Sequence, residues 1–111
     1  MTTMKLDGVR VALALGGGGA RGVAHIGVVR ELEKRGADIV AIAGTSMGAV
    51  VGGIHAVGRL EEYAEWMCGL TQRDVLRLLD PSLRAPGIIG GEKVMARIRD
   101  LVGEAVIEQL P

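Results

Sequence analysis

Residues 39–58 read Ile39-Val-Ala-Ile-Ala-Gly-Thr-Ser-Met-Gly-Ala-Val-Val-Gly-Gly-Ile-His-Ala-Val-Gly58, without a charged side chain. Two periodicities meet in this stretch. Ile39 to Ala43 is a short apolar run rich in β-branched residues and ended by glycine, which predicts a strand buried in a parallel sheet. From Met47 onward, Met47, Val50, Val51, Ile54 and Val57 recur at helical spacing, which predicts a helix. Gly48, Gly52 and Gly53 each lower its helix propensity by about 1 kcal/mol relative to alanine. Small residues there would let the helix press closely on a sheet. The stretch is long enough to cross a bilayer, and Gly44, Gly48 and Gly52 form a small-xxx-small series. Its five glycines, its polar Thr45, Ser46 and His55, and its division into strand and helix halves argue against a membrane span.

Before this stretch, Val9 to Leu15 alternates large and small apolar residues and stops at Gly16, as a buried strand does. Val23 to Arg35 follows with Val23, Ile26, Val29 and Leu32 on one face, charged residues on the other, and Gly36 placed as the C′ residue. Strand, helix and strand in this order imply a right-handed parallel βαβ unit. After it, Leu60 to Leu70 repeats the helical pattern with Leu60, Tyr63, Ala64, Met67 and Leu70. Thr71 and Asp74 make a capping-box-like start for a short helix carrying Val75, Leu76, Leu78 and Leu79. Asp80 to Gly91 reads as a loop, and Glu92 to Val102 as a last helix with Val94, Ile98, Leu101 and Val102 inward. The segment from Glu104 to Pro111 carries no pattern. Only two strands are clear, both suited to burial on two faces. A two-stranded parallel sheet leaves edges unpaired, so the chain is expected either to be a fragment of a larger domain or to self-associate.

Composition narrows the function classes. In 111 residues, one domain at most, Lys plus Arg equals Asp plus Glu at 13 each. This balance provides no field to steer nucleic acid or an anionic membrane. One Trp, one Tyr and no Phe argue against base stacking and against an aromatic interface belt. The lone Cys68 has no disulfide partner in the chain and reads as a small apolar filler. Residues 1–8 do not resemble a signal peptide. The 18 glycines are concentrated at Gly16 to Gly22 and Gly44 to Gly53, where the backbone must turn sharply or admit a close neighbour.

Those two clusters carry the chemistry. Gly16-Gly17-Gly18-Gly19-Ala20-Arg21-Gly22 joins a strand to a helix, so its N–H groups suit a phosphate or the oxyanion of an acyl-transfer intermediate. Gly17 to Gly22 fits G-x-G-x-x-G. The confirming acid at the end of the second strand is missing, since Asp38 precedes that strand, and no Gly-Lys-Ser/Thr marks a P-loop. Gly44-Thr45-Ser46-Met47-Gly48 fits G-x-S-x-G between a strand and a helix, as a nucleophile elbow requires. Ser46 would sit on the turn with its hydroxyl exposed, the N–H of Met47 would face an attached oxyanion, and Gly44 and Gly48 would leave room for the turn. Both motifs follow parallel strands and therefore share one sheet edge, where each N–H donor supplies about 3 to 4 kcal/mol in the transition state. His25 and His55 read as packed or half-exposed histidines, so the base is missing.

Leu15-Gly-Gly-Gly-Gly-Ala-Arg-Gly-Val-Ala-His-Ile-Gly27, followed by Ile42-Ala-Gly-Thr-Ser-Met-Gly48, resembles the start of a bacterial patatin-like phospholipase. The resemblance runs from about Val9 to Gly103. It implies an α/β fold, in which a parallel βαβ core with helices forms the N-terminal part of a three-layer α/β/α sandwich. It implies hydrolysis of phospholipid or neutral-lipid esters by a Ser–Asp dyad without a catalytic histidine, and no cofactor or metal for the attack. Ser46 would be the nucleophile and Gly17, Gly18, Gly19 and Met47 the oxyanion donors. Arg21, Gly44 and Gly48 would support them. The family's aspartate lies in Asp-Gly-Gly or Asp-Gly-Ala, downstream of the serine. Here the only Asp-Gly is Asp7-Gly8, which precedes both motifs. Residues 1–111 are therefore expected to form a partial patatin-like domain that stops before the dyad aspartate and has little activity alone. The expected partner is a lipid ester and not nucleic acid. The expected location is cytoplasmic, with peripheral membrane contact. Two other readings stay open: a phosphate- or dinucleotide-binding βαβ module, and a non-catalytic self-associating domain.

Overall fold

A computed structural model of the protein describes residues 4–70 and 91–111. The short helix expected from Thr71 to Leu79, and the loop after it up to Gly90, lie outside the described residues. In chain order the elements are β1 (Arg10–Leu15), a 3-10 turn (Gly19–Val23), α1 (Ala24–Lys34), β2 (Asp38–Gly44), α2 (Met47–Ala56), α3 (Leu60–Cys68), α4 (Gly91–Val102) and a last 3-10 turn (Ile107–Gln109). The fold class is α/β. The chain divides into two compact units, with the boundary between Gly52 and Gly53 inside α2.

In the first unit β1 and β2 pair in parallel, with Arg10 opposite Asp38 and Leu15 opposite Gly44. Parallel neighbours need a crossover, which the turn at Gly19–Val23 and α1 supply. The register steps from Val11↔Ile39 to Ala12↔Ala41, so Val40 is an extra residue in a β-bulge. The ladder runs one residue past β2, because the Thr45 N–H donates to the Leu15 carbonyl at 3.0 Å. Leu15, Ile26, Val29, Met47 and Val51 are buried, while Val23 and Leu32 are half-buried. α1 begins one residue later than its apolar pattern suggests. The positive φ values of Gly18 (99°) and Gly19 (55°) turn the chain into a tight 3-10 segment first. Gly36, at φ 88°, ends α1 as expected.

The strands are not buried on both faces. Among the described residues the sheet has two strands, and side chains alternate across it. Leu15 and Ile42 lie under α2, next to Gly52. The opposite row of Ala12, Ala14 and Ala43 is exposed, together with the bulged Val40.

α2 lies directly on the ends of the strands. A Cβ at Gly48 would run into the carbonyl oxygens of Leu15 and Gly16, and one at Gly52 would stand 2.8 Å from Ile42 Cγ2. Gly53 differs: nothing lies within 4 Å of the place its Cβ would take. The expectation of close packing therefore holds at two of the three helix glycines and fails at Gly53, which faces away from the sheet.

In the second unit Ile54, Leu60, Tyr63, Ala64 and Leu101 are buried, and α3 lies against α4. Met67 and Leu70 are half-buried. The Tyr63 and Trp66 rings sit 5.9 Å apart between centroids. Gly103, at φ 61°, closes α4. Cys68 is exposed, contrary to its reading as an apolar filler; it is the last residue of α3, one turn beyond the buried Ala64. No helix among the described residues is long and apolar enough to cross a membrane.

Two glycine substitutions in α2 should separate propensity from packing. Gly53→Ala is expected to raise stability by up to about 1 kcal/mol, whereas Gly48→Ala is expected to lower it by about 1 to 3 kcal/mol through overpacking. Urea denaturation of the two variants checks both signs.

Candidate active site

The site is built where β1 and β2 end. After β2, Ser46 takes φ +51°, and it is the only non-glycine residue with positive φ among those described. A left-handed backbone costs an L-residue about 1 to 2 kcal/mol, so the surroundings must hold it there. The following bonds do so. The Gly48 N–H donates to Thr45 O at 2.9 Å, and the N–H groups of Ala49 and Val50 both donate to Ser46 O, at 3.0 and 3.2 Å. The chain thus leaves the strand, turns once at Ser46 and is already helical at Met47. Ser46 itself is exposed, and no side chain among the described residues hydrogen-bonds its hydroxyl.

Gly44 and Gly48 make this turn sterically possible. A Cβ at Gly44 would come within 2.6 Å of the Gly48 carbonyl carbon. Met47 is buried, in contrast to its neighbour Ser46, so the turn is anchored by one side chain and presents the next.

After β1, the glycine loop folds against this turn. Gly17 is adjacent to Ser46: a Cβ on Gly17 would lie 3.5 Å from Ser46 Cβ. Gly22 closes the other side, where a Cβ would be 2.5 Å from Met47 Cβ and 2.6 Å from Gly17 O. Arg21 contributes its backbone, donating to Gly18 O at 3.1 Å, while its side chain is exposed. No carbonyl among the described residues accepts from the N–H groups of Gly17, Gly18 or Gly19. These donors precede a helical turn, where unpaired N–H groups favour an anion or developing negative charge.

The structure brings Ser46, Met47, Gly44, Gly48, Gly17 and the Arg21 backbone together at one sheet edge. His25, on the first turn of α1, turns back so that Nε2 lies 2.7 Å from Gly16 O. His55 is half-buried on the last turn of α2 and has a partner of its own. Sequence reasoning missed two members of this arrangement. Gly22 was named only as part of a motif, although it is the contact that admits Met47. Gly16 was read only as the start of a loop, although its carbonyl is the acceptor for His25. The repeated glycines signal crowding, but which glycine meets which neighbour depends on contacts between segments far apart in sequence. No group of three or more His, Cys, Asp or Glu side chains that could hold a metal ion occurs among the described residues.

A strand–turn–helix serine beside a glycine-rich loop on a neighbouring parallel strand defines an α/β protein. The sequence matches the family described as patatin-like phospholipase over residues 13–110, and the chain belongs to that family of lipid hydrolases. An NTE family protein of Mycobacterium bovis, described as uncharacterised, is 66% identical over 102 residues, covering 92% of this chain and 28% of that protein. A patatin-like phospholipase domain-containing protein of Caenorhabditis elegans is 36% identical over 110 residues, 95% of this chain and 8% of its own length. A lysophospholipase of Mycosarcoma maydis is 46% identical over 74 residues, 60% of this chain and 4% of its own length. The chain thus spans less than a third of the length of these curated relatives. No solved structure matches.

The left-handed backbone at position 46 has a consequence for stability. Ser46→Gly is expected to be more stable than Ser46→Ala by about 1 kcal/mol, because only glycine adopts this φ without a Cβ penalty. Thermal or urea unfolding of the two variants checks the difference.

Proposed function

We propose that Ser46 is the nucleophile of a lipid-ester acyl hydrolase, with the N–H groups of Gly17, Gly18, Gly19 and Met47 as its oxyanion hole. Arg21, Gly44 and Gly48 keep that geometry. The observation that carries the reading is the left-handed Ser46 at the end of β2, with Gly17 beside it at the end of the adjacent parallel strand. Membership of the patatin-like phospholipase family supplies the substrate class, and the relative described as a lysophospholipase agrees with it.

In this reading Ser46 Oγ adds to the ester carbonyl carbon, and the carbonyl π pair moves onto its oxygen. The glycine N–H dipoles stabilise that charge where it develops, which is worth about 3 to 4 kcal/mol for each well-placed donor. Collapse of the intermediate restores the carbonyl and expels the alcohol portion of the lipid as an alkoxide, which takes up a proton. Water then attacks the acyl-serine, releasing the fatty acid and regenerating the hydroxyl. A neutral serine needs a base to accept its proton. The family's Asp-Gly-Gly or Asp-Gly-Ala motif does not occur in the 111 residues. Within this reading, residues 1–111 are the nucleophile side of a patatin-like domain, and the dyad aspartate comes from sequence beyond these residues. Solvent takes the proton in its place, so acylation by this chain alone is slow. The lipid substrate implies work at a lipid surface, with peripheral membrane contact.

The test is acylation of the serine itself. The chain is expected to release a burst of nitrophenol from a short-chain nitrophenyl ester and to react with a fluorophosphonate probe, with a residual enhancement on the order of 10³ over water. Ser46→Ala is expected to abolish both signals. Unchanged burst and labelling in that variant would remove Ser46 from the mechanism. Heat on titration with NAD(P) or nucleotides would favour a phosphate-binding module instead.

A further inference from the structure

The peptide unit between Gly16 and Gly17 has both of its polar ends in informative places. Its carbonyl oxygen lies 2.7 Å from Nε2 of His25, which makes Nε2 the N–H donor, since a carbonyl only accepts. Its N–H belongs to Gly17, the loop residue adjacent to Ser46. A trans peptide is planar, so its C=O and N–H point in opposite directions. Fixing the carbonyl therefore fixes the direction of the Gly17 N–H.

This peptide needs such a restraint. It joins two glycines, and without a Cβ on either side it can rotate as a unit at little steric cost. Nothing lies within 4 Å of the place where a Gly16 Cβ would stand, so packing does not hold that residue. Two contacts act on the carbonyl instead. Gly48, at the start of α2, backs onto it closely enough that a Cβ there would meet the oxygen. His25 supplies the hydrogen bond. It can do so because it sits on the first turn of α1, where helical side chains lean back toward the N-terminus and thus toward the loop.

We propose that His25 is a positioning residue for acyl transfer. Its Nε2–H holds the Gly16 carbonyl and so aims the Gly17 N–H at the oxyanion that forms on a carbonyl attacked by Ser46. The inference rests on the reading of Ser46 as nucleophile. His25 takes no proton from the serine and touches no substrate in this role. A hydrogen bond accepted by a carbonyl also polarises the amide, which strengthens donation from the N–H at its other end. The role accounts for a histidine in a site whose chemistry has no step for one.

The test compares two near-isosteric replacements. Glutamine places an amide N–H near the position of Nε2, and methionine has similar length without a donor. Both are good helix formers, so α1 tolerates either. The maximal rate of Ser46 phosphonylation and its half-saturating concentration are measured with a fluorophosphonate. His25→Met is expected to lower the maximal rate by about 10- to 100-fold, within the effect of losing one oxyanion donor, with the half-saturating concentration unchanged. His25→Gln is expected to restore most of the rate. The Gly17 amide, followed by NMR and hydrogen exchange, is expected to shift in the methionine variant and remain near its original position in the glutamine variant.

Equal rates in the two variants, or a change only in half-saturation, would overturn the proposal. Should the methionine variant not fold, the glutamine variant decides alone: a rate within about threefold of the parent with an unshifted Gly17 amide supports the role, and a loss like that of an absent donor overturns it. Failure of the underlying reading looks different. In that case labelling is absent from the parent chain or survives Ser46→Ala, while the Gly17 amide still reports whether His25 orients the peptide.

Discussion

The close approach of Gly48 to the carbonyl oxygens of Leu15 and Gly16 is the contact on which the site depends. It places the start of α2 directly on the end of β1, with no side chain between helix and strand. From that contact the rest follows in order. Ser46 reverses the chain between the last residue of β2 and the first turn of α2, and it does so with a left-handed backbone. Gly44 must lack a Cβ because the returning helix passes over it. The glycine loop after β1 must close over Met47, which it does at Gly22. A methyl group at any of these positions would push apart the two segments whose proximity defines the site.

The same geometry explains how a strained residue persists. The cost of the Ser46 backbone is small beside the burial of Met47 and Val51 on either side of the first helical turn, at roughly 1.5 to 3 kcal/mol for a fully buried large apolar side chain. Two hydrogen bonds converge on the Ser46 carbonyl as well. Strain held by packing in this way presents a hydroxyl to solvent while its neighbours stay fixed. The donors opposite it are backbone N–H groups on glycines, which need no side-chain ordering but do need their peptide planes held. The His25 contact with Gly16 is a side-chain hydrogen bond that acts on that loop.

The sheet has two unlike faces. Leu15 and Ile42 lie beneath α2, while Ala12, Ala14, Ala43 and the bulged Val40 are exposed. The exposed row is made mainly of alanine, which presents little apolar area per residue. The bulge at Val40 twists the strand at the end far from Ser46, so pairing beside the site stays regular from Ala12 to Leu15.

Much of this was legible from residue order. The runs Val9 to Leu15 and Ile39 to Ala43 announced two strands, the spacing of Ile26 and Val29 announced α1, and G-x-S-x-G between strand and helix announced the turn at Ser46. Each is a local property: periodicity and turn chemistry act over a few residues, and one sequence carries them. The bulge at Val40 was not legible, because register is set by the partner strand. Nor was the difference between Gly52 and Gly53, which depends on which side of α2 meets Ile42. The exposure of Cys68 was not legible either, because periodicity does not say how far packing extends along a helix. Tertiary structure alone brought Gly22 to Met47, Gly17 to Ser46 and His25 to the Gly16 carbonyl. These pairs join separate segments, and no residue's own chemistry says which distant neighbour it will meet. The sequence by itself determined that a serine would stand on a sharp turn beside a glycine loop. The fold decided which peptide faces that serine and what holds it there, because aiming an N–H requires contacts made only when both strand ends and both helix starts are assembled.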